Sequence, residues 1–221
     1  PGILLQPRAV PAGDNFRTTV RVDGRRSFDP DGDAISYRWT VRGVRFDGSS
    51  TPGQSHLDVR VSGDFAVPVK LEASDSQESG TEWSYINIEG HGATLSGGGA
   101  VWHPVTLDFQ GPVASETADA PNPFLDYRLN VTFTAPDGSE MLVPGFFAGD
   151  GQGGGAGDVW RCRFNPDQPG VWNYTASFRS GTDVAVSLAP FAGAAHSFNG
   201  ASGAFAVLPR DTSAPGLLRD G

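Results

Sequence analysis

The chain has 221 residues, a formal net charge of −9, 38% hydrophobic residues, 30 glycines, 17 prolines and one cysteine. This acidity excludes a phosphate-backbone binder, which needs clustered lysine and arginine, and no run approaches the roughly 18 apolar residues of a membrane span. The lone cysteine excludes an intrachain disulfide, and the length suits one large β domain or two of about 100 residues.

In chain order, residues 7–13 read as an extended lead-in, and Thr18, Val20 and Val22 alternate with polar residues as a first strand. Residues 23–33 are turn-forming throughout. Ile35, Tyr37, Trp39 and Val41 then alternate clearly, and a polar loop is expected at 47–55. Leu57/Val59/Val61 and Val67/Val69/Leu71/Ala73 follow, and a turn at 74–80 leads to a last strand at 82–88. Short strands with turns every 8–12 residues predict a β-sandwich, with no helical period. Residues 89–99, EGHGATLSGGG, are the one break in composition, and a flexible linker and domain boundary are expected there.

Strands resume at 101–109. Tyr127, Leu129, Val131, Phe133 and Ala135 alternate up to the turn Pro136-Asp137-Gly138, and a strand at 141–147 precedes a glycine run. Trp160, Cys162 and Phe164 then alternate with Arg161 and Arg163. Trp172 and Tyr174 resume the period after a turn at 165–170, which predicts a hairpin with three large aromatics on one face. Phe178, Val184/Val186/Leu188 and Phe205/Val207 complete the set. The expected fold is all-β, two tandem immunoglobulin-like β-sandwich domains: residues 1–89, a linker at 90–99, residues 100–209, and a tail at 210–221. Both ends look cut from something longer, with 217–221 leading towards a catalytic domain.

Ser27-Phe28-Asp29-Pro30-Asp31-Gly32-Asp33 followed by Ile35-Ser36-Tyr37-Arg38-Trp39, with residues 71–75 (LEASD) later, resembles the PKD family, an immunoglobulin-like sandwich of exported bacterial enzymes. It departs at 41–47, where a second Gly-Asp-Gly turn is usual. Residues 100–207 resemble the DUF5060 family, through Trp102, Asn122-Pro123-Phe124, Phe133, Pro136-Asp137-Gly138, Gly145-Phe146-Phe147, Gly149, Trp160, Arg163-Phe164, Pro166, Gly170-Val171-Trp172 and Tyr174. Ala148 departs from that family's acidic G-F-Y-D-G pattern. The resemblance implies a domain lying just before a catalytic barrel in bacterial glycoside-hydrolase-like proteins.

Asp29, Asp31 and Asp33 could gather oxygens around a hard cation. The loop is no EF-hand, because Ala34 and Thr40 stand where Gly and Glu are needed. The PKD resemblance implies that Asp75 and Asp14 or Asn15 would complete a calcium site; the other reading is a turn in which Asp side chains cap backbone N–H groups. Trp39, Trp160 and Trp172 share the core phase. Trp102, Phe124 and Phe147, like Trp83 and Tyr85, fall outside it, and those first three are the candidates to stack on sugar rings or meet a neighbouring domain. Cys162 is expected to be a buried structural thiol. Arg161 and Arg163, opposite the aromatics, are expected to be solvated or carboxylate-paired. Residues 149–154 fit G-x-G-x-x-G, but no helix follows, so a hairpin loop is expected and not a nucleotide site. The four histidines lack ligand spacing, no G-x-S-x-G elbow occurs, and no acid pair stands out.

The expected function is therefore a non-catalytic accessory region of an exported, secreted or cell-surface carbohydrate-active enzyme. It would bind or position polysaccharide or pack on a catalytic domain of the same polypeptide, with no nucleic acid, no membrane insertion and at most calcium as cofactor. The alternative is a structural or adhesive spacer without sugar affinity.

Overall fold

Branched and aromatic residues at every second position make nearly every element a strand. The computed structural model describes residues 8–10, 13–41, 44–49, 55–63, 65–75 and 77–220; the side chains of 8–10, 13–18, 44–49, 61–63 and 220 lie outside that description. In the first half these are β1 (Arg8–Val10), β2 (Gly13–Asp23), β3 (Ser36–Val41), β4 (Val44–Ser49), β5 (His56–Gly63), β6 (Val67–Ser74) and β7 (Ser79–Ile88). The five-stranded sheet β1-β7-β6-β3-β4 accompanies the antiparallel pair β2-β5. Val22 and Val59 of the pair share one buried cluster with Trp39, Leu71 and Ile86 of the larger sheet. The polar loop expected at 47–55 starts later, because β4 stays paired with β3 as far as Ser49. Parts of that loop and of the lead-in, 50–54, 7 and 11–12, lie outside the described residues.

The second half contains β8 (Thr94–Gly97), β9 (Val105–Ser115), β10 (Tyr127–Thr134), β11 (Glu140–Pro144), β12 (Phe146–Phe147), β13 (Ala156–Phe164), β14 (Gly170–Ser180), β15 (Ala194–Ala195) and β16 (Ser202–Val207). One sheet runs β11-β10-β14-β15, with β16 also on β14, and the other runs β12-β13-β9-β8. Between them lies a layer of rings. Phe133 stacks on Phe164 at 4.2 Å, Trp172 meets Phe164 at 4.9 Å, and Phe178 meets Trp160 at 4.8 Å.

Three sequence expectations need correction. First, β13 and β14 do not form a hairpin: β13 pairs with β9 and β12, whereas β14 pairs with β10, β15 and β16. Their connection is an arch between sheets, because the aromatic faces bury more surface against each other across the core than side by side. Second, residues 184–188 are not a strand but a 3-10 turn, Val184–Val186, entered through Asp183 in the left-handed region (φ 55°).

Third, residues 90–99 are not a free linker. β8 pairs with β9, and Asn87 at the end of β7 binds Leu95 twice: its Oδ1 accepts from Leu95 N–H (2.6 Å) and its Nδ2 donates to Leu95 O (3.1 Å). Gly99 then passes so close to Pro68 that an added Cβ would lie 1.9 Å from the proline Cβ. The halves also share a ladder. Ala66 N–H donates to Ala204 O and Ala206 N–H to Ala66 O, both at 2.8 Å, while Tyr85 OH donates to Ala206 O (3.3 Å). Ala66 and Tyr85 belong to the second core, with Tyr85 edge-on to Phe205.

The β10–β11 hairpin follows the expected Pro-Asp-Gly turn. Asp137 Oδ1 accepts from Ser139 N–H (2.9 Å) and Oγ–H (2.7 Å), and its Oδ2 accepts from Gln168 of the arch (2.9 Å).

Because Phe205 lies where the cores meet, Phe205→Ala is expected to cost about 3–5 kcal/mol and to lower one common melting transition in calorimetry; separate transitions for the two halves would show that the junction does not couple them. The Ser139 backbone and hydroxyl bonds hold Asp137 at about 2. A carboxyl so depressed contributes stability fully above about pH 4, lost as pH falls towards 2. Asp137→Asn is therefore expected to flatten the acid limb of stability measured by urea titration between those pH values.

Candidate functional site

Alternation drives most rings inward, so the rings left at the surface mark the candidate site. Gly145 sets the pattern. There the chain leaves β11 in one sheet and enters β12 in the other, in a space where a Cβ would fall 2.4 Å from Leu129 Cδ2 and 2.8 Å from Arg161 O. The crossing fixes the phase of the next two residues. Phe147 pairs in register with Trp160 and is buried; Phe146 pairs with Arg161 and faces out. The expectation that Phe147 reaches a ligand is thus overturned. Phe147 packs on Trp160 at 5.1 Å, and Phe146, which sequence reasoning passed over, is 43% exposed, with the Arg163 guanidinium 5.8 Å from its ring centre.

Phe124 is surface-facing as expected, at 51% exposure. Its N–H donates to Asn122 Oδ1 (2.9 Å), and Asn122 N–H donates to Asp126 Oδ2 (2.8 Å), which fixes the 122–126 turn. Phe124, Tyr127, Asn130, Pro144 and Phe146 line a groove of about 210 Å³ at this end of the sandwich. Trp102 lies towards the other end, beside the arch. Its N–H donates to Pro166 O (2.8 Å), its carbonyl accepts from Asn165 Nδ2 (3.2 Å), and its backbone is left-handed (φ 69°). Trp102 and Phe124 therefore do not share a surface.

Beside the groove, two arginines hold one loop. Arg128 donates to the carbonyls of Ser187, Ala189 and Pro190 at 2.8–3.1 Å, and Arg179 to those of Phe191, Ala192 and Gly193 at 2.6–3.0 Å. The loop's own Leu188 and Phe191 are 99% and 83% exposed. A second concavity of about 540 Å³, lined by Asn87, Thr94, Asp108, Gln110, Asp150 and Gln152, lies where the halves meet. Asp108 of its lining accepts a bidentate pair of hydrogen bonds from Arg161 (2.6 and 2.8 Å), the carboxylate-paired state expected for this face. Asp150 Oδ1 accepts from the N–H groups of Gln152 and Gly154 (2.8 Å each), so the glycine-rich hairpin loop is pinned rather than loose. Cys162 is buried, and desolvation pushes its thiol up to about 12, which suits a structural thiol and not a nucleophile.

The acidic turn behaves as a cap. Asp29 Oδ1 accepts from Asp31 N–H (2.9 Å) and Asp33 N–H (3.1 Å), while Asp75 Oδ1 accepts from Gln77 and Glu78 N–H (2.6 Å each). Those backbone bonds hold Asp75 below the ordinary carboxylate range. Asp31 and Asp33 are exposed, and the side chain of Asn15 lies outside the described residues. Among the described residues no three His, Cys, Asp or Glu side chains gather in a way that could hold an ion. If the turn only caps backbone N–H groups, the melting temperature is the same in millimolar calcium and in chelator; a rise of several degrees with calcium, lost in Asp29→Ala, would instead show an ion held there.

No curated protein matches the sequence. Among solved structures, a Bacteroides vulgatus protein provisionally assigned as a glycoside hydrolase is 27% identical over 51% of this chain and 16% of its own, with a TM-score of 0.33. A chimeric titin Z1Z2 tandem (11% identity, 96% of this chain, all of that one, TM-score 0.27) is also similar. So is a Bacteroides ovatus protein of a mixed-linkage glucan utilization locus, solved in complex with a mixed-linkage heptasaccharide (9%, 93% and 67%, 0.26). At such TM-scores these likenesses assign no activity. Among the described residues no helix is long and apolar enough to cross a membrane. Residues 99–179, which hold the groove's Phe124 and Phe146 and the β10–β11 hairpin, match the family described as a domain of unknown function, DUF5060.

Proposed function

We propose that this chain is a non-catalytic accessory region of an exported carbohydrate-active enzyme, which positions polysaccharide and packs beside a catalytic domain of the same polypeptide. The observation that carries the reading is the pair Phe124 and Phe146, two exposed rings lining one groove of a sandwich that buries most of its rings. Flat aromatic faces suit the axial C–H faces of sugar rings, and Asn130 and the backbone of the groove supply hydrogen-bonding groups for hydroxyls. The family context implied by the DUF5060 resemblance agrees with it, as does an acidic surface that would not retain nucleic acid. Bound sugar held near an active site would raise its local concentration there.

A second reading rests on Leu188 and Phe191. Apolar side chains displayed on a pinned loop favour a protein neighbour, so this face would act as a spacer or adhesive contact without sugar affinity.

Affinity electrophoresis and calorimetry against soluble plant and algal polysaccharides separate the two. The expected result is retardation by at least one polysaccharide, weakened about tenfold or more, some 1.4 kcal/mol, by Phe124→Ala or Phe146→Ala and unaffected by Leu188→Ser. No retardation across the panel would overturn the sugar reading and leave the spacer.

A further inference from the structure

The chain uses arginine for every cationic side chain but one: Lys70 is its only lysine. That residue is buried, its side chain 8% exposed, on the outer face of the first half's large sheet. The segment following β16 covers it. Leu208 N–H donates to Gly99 O (2.7 Å) and Val101 N–H to Leu208 O (3.1 Å), which leads Asp211 onto the lysine. Lys70 Nζ lies 2.6 Å from Asp211 Oδ2 and 3.3 Å from Glu72 Oε1, with the Trp83 ring 5.6 Å away. Asp211 Oδ1, the oxygen turned from the lysine, accepts from Ser213 N–H (3.1 Å) and Ser213 Oγ–H (2.5 Å).

A charge-balancing role alone would be served by arginine, used everywhere else, but a guanidinium cannot act as a nucleophile and an amine can. The surrounding groups match what amide formation needs. Asp211 Cγ stands one bond beyond Oδ2, the oxygen 2.6 Å from Nζ, so the two groups that would join are already held side by side. Ser213 aims two donors at the oxygen on which negative charge would develop. Glu72, on the same strand and face as Lys70, can relay protons from nitrogen to the departing oxygen. For the amine to attack, one proton must first pass from Nζ to Asp211 Oδ2 or Glu72 Oε1, the two carboxylate oxygens beside it.

We infer that Lys70 and Asp211 form an intramolecular isopeptide bond, with Glu72 as proton relay. The Nζ–Cγ bond forms and the Cγ–Oδ2 bond breaks. Of the three protons on the ammonium, one remains on the amide nitrogen and two leave with Oδ2 as water. No oxidant, reductant or other reactant is required. The bond joins the first half covalently to the segment beyond the second, across 141 residues of sequence, and its formation does not depend on the sugar reading above.

Intact mass of the purified chain, kept for days at neutral pH, tests this. The wild type is expected to be lighter than its sequence mass by one water, about 18 Da, and its digest to contain a branched peptide joining residues 70 and 211. Lys70→Arg, which keeps the cation, is expected at full mass, and Glu72→Gln to form the bond at least tenfold more slowly. After denaturation in guanidinium, Lys70 of the wild type is expected to resist an amine-acylating reagent. Full mass in the wild type, with Lys70 freely acylated, would overturn the inference.

Discussion

Two strands joined by a short arch but belonging to different sheets impose the central constraint on this molecule. β13 and β14 both carry rings at every second position, and only facing one another across the sandwich can they remove those rings from water together. Phe164 against Trp172, and Trp160 against Phe178, are the outcome. Each ring buries on the order of 150–250 Å², so the arrangement fixes the spacing of the sheets and therefore where β9, β10 and β16 must run. Cys162 sits in this layer as a small apolar filler. The surface follows from the interior, because Arg161 and Arg163 alternate with the rings and must point out.

The same layer reaches into the first half. Tyr85 and Ala66 come from strands and turns before residue 90, yet they pack with Phe205. Backbone hydrogen bonds on both sides of Ala66, together with the paired amide contacts of Asn87, make the join a continuation of sheet structure. Junctions between tandem domains are commonly polar and mobile; this one buries Ala66 and Tyr85 in the second core and is hydrogen-bonded. The concavity lined by Asn87, Asp108 and Gln152 sits beside that join.

Much of this was legible in the sequence, and the limits have physical causes. A period of two identified β3, β6, β10, β13 and β14 because each buries one face. The period does not say whether the next strand lies beside or across, so the arch at 165–169 read as a hairpin. Phe146 and Phe147 show a finer failure. Their phase is set by the sheet change at Gly145, a crossing that leaves no trace in hydrophobicity, so the sequence alone does not tell the inward ring from the outward one. Val184, Val186 and Leu188 alternate like a strand, but Arg128 and Asp126 claim the backbone partners a strand would need. Residues 90–99 look flexible by composition, whereas their glycines serve close packing on Pro68 and His103. Asp29 and Asp75 were legible as turn formers, and their backbone bonds are what Asp residues in turns commonly make.

The loop clamped by Arg128 and Arg179 has a consequence for behaviour in solution. Its carbonyls are tied down by six hydrogen bonds from two planar cations, so Leu188 and Phe191 have no route back into the core. In the free protein this greasy tip stays wetted at full hydration cost, and nothing need be reorganised when a neighbour covers it. Crowded solutions of the chain should therefore be colloidally fragile at this loop, against the net repulsion of an acidic surface.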